Sequence, residues 1–167
     1  HASGKATLGL LLKEAIGLRE LLLESNKLIL KLSQQDEYRD NVKLLLSVPG
    51  IGRLTAMTLL TELGDVTRFR GTDDLCAYLG LMPNVNASGD KEKVGDITKR
   101  GNKHLRTCII ESSWVAVRND PALGLKYHQL CSRMVGNKAI IRIARKLMNR
   151  IRHVLISKEE YKFSLAA

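Results

Sequence analysis

The sequence predicts a mainly all-α protein, for two reasons. Hydrophobic residues make up 44% of the chain but aromatic residues only 4%, so the core must consist chiefly of Leu, Ile, Val and Ala. Apolar residues recur with helical spacing over most of the chain. Residues 80–106 are the exception, because they lack this periodicity and contain four glycines and one of the three prolines. Such a segment is usually functional or disordered. We interpret it as a working loop, largely mobile in the free protein; a mobile surface loop without a role is the alternative.

The charge of the chain suggests a polyanionic partner. The formal net charge is +10 and the pI is about 9.7, which favours nucleic acid or an anionic surface; a basic protein without such a partner is the alternative. The three cysteines form no Cys-x-x-Cys pair, which argues against a zinc site and indicates reduced thiols in a cytoplasmic protein. The sequence shows no signal peptide and no apolar run that could span a bilayer, so we expect no membrane partner.

Three parts are predicted along the chain: residues 1–5 as a cloning remnant, residues 6–40 as coiled-coil helices for oligomerisation, and residues 41–163 as the main domain. In the second part, apolar positions alternate three and four residues apart, as a coiled coil requires. These positions are Leu8, Leu11, Ala15, Leu18, Leu22, Ser25, Ile29 and Leu32. A helix with so much apolar surface must pack on another element, in a dimer arm or a helical hairpin. An ordinary bundle helix is the alternative.

The run from Val48 to Gly52 predicts a helix-hairpin-helix. It reads Val-Pro-Gly-Ile-Gly and separates an apolar helix from one rich in Ala and Leu. Gly50 and Gly52 permit a tight turn with positive φ. The amides from Gly50 to Arg53 would then start the second helix, where free N–H groups and the helix dipole bind phosphate without reading sequence. The alternative is a hairpin that serves only as a packing unit.

Two adjacent acids, Asp73 and Asp74, follow Thr72 at the start of a short helix. We interpret Thr72 as the N-cap and the two acids as complements to the helix dipole. A metal pair is the alternative, but adjacent residues at a helix start point in different directions. No metal-binding residues are therefore predicted in this chain.

Ser88 is the centre of the irregular segment. Its small neighbours, Ala87 and Gly89, would let a phosphate approach the hydroxyl. A serine nucleophile needs a base or a strongly electropositive setting; no His adjoins Ser88, and His104 and His128 are the distant candidates. When only the residues around Ser88 are considered, a catalytic role for this serine is the less favoured alternative. Val94, Ile97 and neighbouring residues could pair as a short β-ribbon. The surrounding cations are Lys91, Lys93, Lys99, Arg100, Lys103 and Arg106.

The remaining chain predicts three more helices. Asn102 is expected to cap the first, with Lys103 and Arg106 facing the loop. Asp120 is expected at the N-cap of the second, with Pro121 at its first position. The last runs from Asn137 to about Ile156, and no acid occurs between Asn137 and His153. This helix is predicted to contact phosphates; a plain solvent-facing surface is the alternative. Its basic residues are Lys138, Arg142, Arg145, Lys146, Arg150 and Arg152.

Several motifs occur together in a characteristic order. They are Val48-Pro49-Gly50-Ile51-Gly52, Thr55-Ala56, Phe69-Arg70, Leu75 to Pro83, Ser88-Gly89, Ile97 to Asn102, Leu105-Arg106 and Ala139 to Leu147. In this order they resemble the C-terminal transposase domain of the DEDD insertion-sequence transposases (the IS one-ten and one-sixteen type). The resemblance covers about residues 41–163, and the preceding helices resemble the family's coiled-coil region.

The resemblance implies a function that composition does not. Members of this family are DNA recombinases that move insertion sequences, act in bacteria, are guided by a structured RNA, and assemble as dimers that pair into tetramers. An N-terminal RuvC-like domain supplies four acidic residues for Mg²⁺. This chain has no segment like it, so we expect a fragment of a longer protein that needs no cofactor of its own and is inactive alone. A degenerate relative of the family is the alternative.

The resemblance also implies the chemistry of the site. The serine of the Ser-Gly motif, here Ser88, is the implied nucleophile on a DNA phosphate. Lys99, Arg100 and Arg106 are expected to hold that phosphate. The other predicted DNA or RNA contacts are Gly50, Gly52, Arg53, Asn102, Lys103, Lys138, Arg142, Arg145 and Lys146. The alternative function is a non-catalytic DNA- or RNA-binding and oligomerisation module.

Overall fold

The computed structural model describes residues 2–88, 91–98 and 100–163, with the backbone alone at 2, 85–88, 91–94 and 96. The prediction of a mainly all-α protein is confirmed. The helices are α1 Ala2–Ser33, α2 Asp36–Leu46, α3 Arg53–Leu63, α4 Thr72–Leu79, α5 Lys103–Asn119, α6 Pro121–Cys131 and α7 Gly136–Ser157, with a 3₁₀ turn at Val66–Arg68. The strands are β1 Pro83–Ser88 and β2 Lys91–Ile97. Within the described part of the chain, no helix combines the length and the apolar character that a bilayer crossing requires.

The chain divides into two compact units, His1–Arg39 and Asp40–Ala167. The first contains α1, which includes residues 2–5 and extends over the whole predicted heptad pattern. Its leucines are exposed in this single chain: Leu8, Leu10, Leu11, Leu12, Leu18, Leu21, Leu22, Leu23 and Leu28. The predicted coiled-coil partner stays a prediction.

The second unit is built around α7. This helix packs against α4, α5 and α6, and its apolar face is buried along its whole length, since apolar residues recur every three to four positions. Fully burying one such aliphatic side chain stabilises a fold by about 1.5–3 kcal/mol. The buried residues of α7 are Ala139, Ile140, Ile143, Ala144, Leu147, Met148, Ile151, Val154 and Leu155.

A glycine turn joins α2 to α3, as the sequence predicts. Gly50 has φ +84°, and a Cβ there would clash with the carbonyl oxygen of Ser112 on α5. Gly50 is therefore required both by its backbone conformation and by close packing against α5. Gly52, the N-cap of α3, has open space around it. The helix–turn–helix connection is present, and its role as a nucleic-acid-binding hairpin stays a prediction.

The segment predicted to be a long loop contains an antiparallel ribbon, so the short β-ribbon predicted as possible there is confirmed. The strand register pairs Ser88 with Lys91 at one end and Pro83 with Ile97 at the other. β2 carries one extra residue between the pairs Pro83–Ile97 and Val85–Val94, which makes a bulge. At about 3.3 Å per residue, Ser88 lies about 17 Å from the Pro83 end. The predicted mobility stays a prediction.

Two glycines hold the base of this ribbon against α4. Gly80 ends α4 in the left-handed conformation with φ +71°, and Gly101 has φ +108°. A Cβ on Gly80 would clash with the carbonyl oxygen of Arg100, and one on Gly101 with that of Tyr78. The Asn102 amide donates to the Tyr78 carbonyl over 2.9 Å. The backbone that leads into the ribbon at the end of α4 therefore contacts the backbone that leads out of it before α5.

The predicted helix caps are largely confirmed. The side chains of Asn102 and Asp120 accept hydrogen bonds from the amides three residues later, and Pro121 occupies the first turn of α6. The prediction for Thr72 is wrong, because Gly71 is the N-cap and Thr72 is the first helical residue. The Thr72 hydroxyl instead donates to the side-chain oxygen of Asn149 on α7 over 2.6 Å.

The segment after α7 returns across the second unit. Lys158 ends α7 with φ +58° and donates to the side-chain oxygen of Asn41 over 2.8 Å. The Tyr161 amide donates to the Ser47 hydroxyl over 2.8 Å, and the Tyr161 hydroxyl donates to Asp120. The segment thereby connects the end of α2 with the start of α6.

Candidate nucleic-acid interface

The start of α3 presents unpaired backbone donors. Helical hydrogen bonding begins with the Ala56 amide on the Gly52 carbonyl, so the amides of the first turn have no helical acceptor. No side chain caps them, because the N-cap is glycine. Gly52 and Arg53 are exposed, whereas Gly50 packs on α5. Of the three predicted contact residues, only Gly52 and Arg53 are therefore open to a ligand.

The structure separates several of the predicted cations from Ser88. Ser88 ends β1 at the far end of the ribbon, and its side chain lies outside the described part of the structure, as does Lys99. Arg100 and Lys103 are exposed at the base, about 17 Å of strand away. The possible base His104 lies in the first turn of α5, also near the base. Arg100, Lys103 and His104 therefore lie away from the predicted position beside Ser88, and the prediction for Lys99 lies outside the described residues.

Arg106 and Asn102 make hydrogen bonds that stabilise the helical domain. Arg106 is only 9% exposed, and its guanidinium donates to the Leu79 carbonyl over 3.1 Å. It thereby satisfies an end carbonyl of α4 that has no helical partner. Besides capping α5, Asn102 donates from its side-chain amide to Glu62 over 2.7 Å. The role predicted for Arg106 as a phosphate ligand is wrong, because its charged group is buried against the backbone.

Three of the six cations of α7 hold the domain together. Arg145 donates to Asp73 over 3.0 Å, and Arg150 pairs with Asp120. Arg152 donates to the Phe69 carbonyl over 3.1 Å. Arg145 was predicted to contact nucleic acid, but its guanidinium bonds to the α4 acid instead. Asp73 is therefore an ion-pair partner as well as a first-turn acid.

The remaining three cations of α7 face outward. Lys138, Arg142 and Lys146 are exposed and follow one another at intervals of four residues, so they form a stripe on one side of the helix. Of the cations predicted on α7 as contacts, these three are exposed, and their contact with phosphate stays a prediction.

The interior pairing around Asp120 is strong. Burial alone would raise the pKa of this carboxyl, but hydrogen bonds from Tyr161, from the Leu123 amide and from Arg150 outweigh it and lower the pKa below 3.8. Burial and the bond to Asp120 raise the pKa of Tyr161 to about 12. This cluster fixes the start of α6, the middle of α7 and the chain after α7 in one arrangement.

Metal binding finds no support among the described residues, where no three His, Cys, Asp or Glu side chains cluster around a common point. This set of side chains does not fit Mg²⁺. The three cysteines are free thiols, and burial raises the pKa of the Cys76 thiol.

Comparison with known proteins shows where the chain belongs. The sequence profile of the transposase IS116/IS110/IS902 family matches residues 42–129, about half of the chain. The chain belongs to this transposase family. The match covers the α2–α3 turn, the β-ribbon, α5 and most of α6, and it includes Ser88. The outward cations of α7 lie beyond it.

Individual transposases are similar to the chain over part of their length. The transposase for insertion sequence element IS1111A of Coxiella burnetii is 34% identical over 122 residues, which are 70% of this chain and 33% of that protein. A probable family 20 transposase of Pseudomonas aeruginosa is 36% identical over 77 residues, 46% of this chain and 23% of its own. The pilin gene-inverting protein of Moraxella bovis is 35% identical over 74 residues, 44% and 23%. The chain thus spans a third or less of each.

Sequence reasoning missed two cations of this transposase domain. Lys126 on α6 and Arg133 just after it lie beside Arg142 and Lys146 of α7. The signal was available, because residues 121–158 contain nine Lys and Arg residues and no Asp or Glu. The stretch was noted only from Asn137 onward, where the last helix was predicted to begin.

Proposed function

We propose that this chain is the part of an insertion-sequence transposase that binds DNA and supplies Ser88 as the nucleophile for phosphoryl transfer. One observation carries the proposal. Ser88 ends a strand of a ribbon whose two strands pair chiefly with each other and make few contacts with the helices. We expect the outer end of such a ribbon to be open to a DNA backbone.

The strand register supports a revised set of partners for Ser88. Residues directly opposite each other in an antiparallel pair share a face of the ribbon. The pairs Ser88–Lys91 and Asn86–Lys93 therefore lie on one face, and the pairs Ala87–Glu92 and Val85–Val94 on the other. Over these four pairs, Ser88 thus shares its face with Lys91 and Lys93, while Glu92 lies on the opposite face. In the proposed site, Lys91 and Lys93 take the role expected of Lys99, Arg100 and Arg106.

The proposed step is an exchange at phosphorus. The Ser88 oxygen forms a bond to a DNA phosphorus, and the bond from that phosphorus to one deoxyribose oxygen breaks. A phosphoserine linkage and a free DNA end result. Lysines on the same face favour attack, because they stabilise the alkoxide and the charge that develops on the phosphate oxygens. The serine proton passes to a base that the described residues do not place beside Ser88.

The rest of the transposase completes the proposed activity. Mg²⁺ is assigned to acidic residues outside this chain, because the described residues do not fit it. A guide RNA and assembly through α1 also remain part of the proposal. The second candidate function is a non-catalytic DNA- or RNA-binding and oligomerisation module. It is favoured by the outward cations of α7 and by the exposed leucines of α1.

The test uses the full-length transposase that contains this chain. The protein is incubated with Mg²⁺, guide RNA and end-labelled element-junction DNA, and protein–DNA adducts are separated on a denaturing gel. We expect an adduct that disappears in Ser88→Ala and persists in Ser157→Ala, an exposed serine at the end of α7. An adduct that survives Ser88→Ala would favour the binding-module function. Strand cleavage without any adduct would identify water as the nucleophile.

A second pair of variants tests the partners of Ser88. Lys91→Gln removes a charge from the Ser88 face, and Glu92→Gln removes one from the opposite face. We expect Lys91→Gln to slow adduct formation about 10²-fold, which is the usual cost of losing one group that stabilises the transition-state charge. Glu92→Gln should change the rate little. Equal rates in both variants would remove Lys91 from the site.

A further inference from the structure

A groove between α6 and α7 concentrates positive charge on one side of the second unit. It is lined by Lys126 and Gln129 of α6, by Ser132 and Arg133 of the connection, and by Arg142 and Lys146 of α7. Arg142 and Lys146 are four residues apart and therefore adjacent on the helix surface. Four cations from three consecutive segments thus line a single depression.

These cations differ from Arg145 and Arg150 of α7 in lacking acidic partners. Among the described residues, no carboxylate forms a salt bridge with Lys126, Arg133, Arg142 or Lys146, and no lining residue is acidic. Arg145 and Arg150 of the same helix both have an Asp partner. Cations of like sign that line one groove repel each other. Their repulsion is relieved when an anion enters.

The other lining groups indicate what kind of anion fits. Leu130 and Met134 contribute apolar surface, and the side-chain amide of Gln129 offers hydrogen-bond donors. The Ser132 hydroxyl already donates to the Gln129 carbonyl over 2.9 Å. No lining residue is aromatic, so the groove lacks the stacking surface on which unpaired bases of single strands bind. Charged and polar donors without a stacking surface suit the phosphates of a duplex, whose bases remain paired.

We infer that the groove between α6 and α7 binds the sugar–phosphate backbone of double-stranded DNA. The inference deepens the proposed function and rests on it, since the proposal makes DNA the substrate. It adds Lys126, Gln129 and Arg133 to the predicted DNA contacts, keeps Arg142 and Lys146, and excludes Arg145. The groove holds the duplex without selecting its sequence, because phosphates are the same at every base pair.

The experiment measures binding of the intact chain to a labelled DNA duplex of arbitrary sequence, by fluorescence anisotropy between about 50 and 200 mM salt. The groove variant is Arg142→Gln with Lys146→Gln. The control variant is Arg118→Gln with Lys43→Gln, two exposed cations outside the groove. Each phosphate contact contributes about 0.9 to the slope of log K against log salt. We therefore expect the slope to fall by about 2 in the groove variant and to change little in the control.

The outcomes separate this inference from the proposed function. If the unaltered chain binds DNA but the slope of log K against log salt is the same in both variants, the groove is not the binding site. DNA binding would then belong to another surface of the chain. If the unaltered chain does not bind DNA at low salt, both the inference about the groove and DNA binding by this chain are wrong. The adduct test on Ser88 is a separate experiment and is not affected by that result. Tighter binding of double-stranded RNA through the same residues, or a strong dependence on DNA sequence, would overturn the assigned occupant. Thermal unfolding of both variants verifies that they are folded.

Discussion

Helices α1 and α7 are both long and both carry apolar residues at helical spacing, yet they end in opposite environments. Leu147 on α7 is 0% exposed and contacts a core formed with α4, α5 and α6. Leu22 on α1 is 64% exposed in the single chain. Periodicity predicts a helix in both cases. Burial requires a second surface, and only α7 has one within its own unit.

The distribution of residues around each helix explains the difference. On α7 the apolar residues occupy one side and the cations the rest, so one face suffices for packing. On α1, consecutive leucines such as those at residues 10–12 point in several directions. An apolar surface this broad is costly in water. The predicted coiled coil would cover part of it, and that partner stays a prediction.

The largest effect is expected from truncating matched leucines on the two helices. Leu147→Ala should lower the free energy of unfolding of the second unit by about 2–5 kcal/mol, because it leaves a cavity in the core. Leu22→Ala should change it by less than about 0.5 kcal/mol. Trp114, the single tryptophan, lies in the second unit and reports its unfolding in urea by fluorescence. A large effect of Leu22→Ala would contradict the conclusion that Leu22 on α1 is not buried in a core.

A smaller effect is expected from the two acid partners of α7 arginines. The Asp120 side chain is fully buried against Arg150, whereas the Asp73 side chain beside Arg145 is 77% exposed. Asp120→Asn should destabilise the domain by about 3 kcal/mol, because it leaves Arg150 without its partner. Asp73→Asn should cost at most about 1 kcal/mol. Urea unfolding followed at Trp114 measures both, and equal costs would contradict the difference in burial.

Acid titration provides the control for this pair. Hydrogen bonds lower the pKa of Asp120 below 3.8 despite its burial, so the folded state holds its carboxylate more tightly ionised than the unfolded state does. The stabilisation from Asp120 is therefore complete above pH 3.8 and is lost as the pH falls through the lower folded pKa. In Asp120→Asn this part of the acid dependence should disappear. An unchanged pH profile would show that Asp120 does not carry it.

The smallest effect on unfolding is expected from charges placed on α1. Leu18→Glu combined with Leu22→Glu should leave unfolding at Trp114 within about 0.5 kcal/mol of the unaltered chain. If α1 forms the predicted coiled coil, the same variant should convert an oligomer to a monomer in sedimentation analysis, because buried charges oppose pairing. Lys27→Glu, off the heptad positions, is the control. An unaltered chain that is monomeric at all concentrations would contradict the coiled coil.

Much of the helical fold was predictable because its signals are local. Asn102 and Asp120 cap helices through amides three residues away, and such patterns appear directly in the sequence. Gly50 was predicted as a turn residue, but its contact with Ser112 was not. That contact joins residues far apart in the chain, and no local pattern encodes it.

The candidate site was harder to predict for the same reason. A cation in the sequence could be a ligand for phosphate or a partner for a distant group of the fold. Arg145 and Arg150 pair with acids, and Arg106 donates to a backbone carbonyl. The position of Ser88 relative to its neighbours depends on strand register, which periodicity in so short a segment does not determine. Lys126 was not predicted because it joins Arg142 and Lys146 only across the groove between two helices, and the pattern of a single helix does not reveal that proximity.

The junction of the ribbon with α4 has a consequence for how this family can diversify. Because Gly80 and Gly101 make the contact with backbone atoms, residues farther out along the strands are free to change without disturbing the anchor. Lengthening each strand by two residues would carry the outer end about 7 Å farther while keeping the same face forward. Lengthening each by one would turn that face to the opposite side. The ribbon can thus lengthen by two residues per strand without turning its outer end to the opposite face.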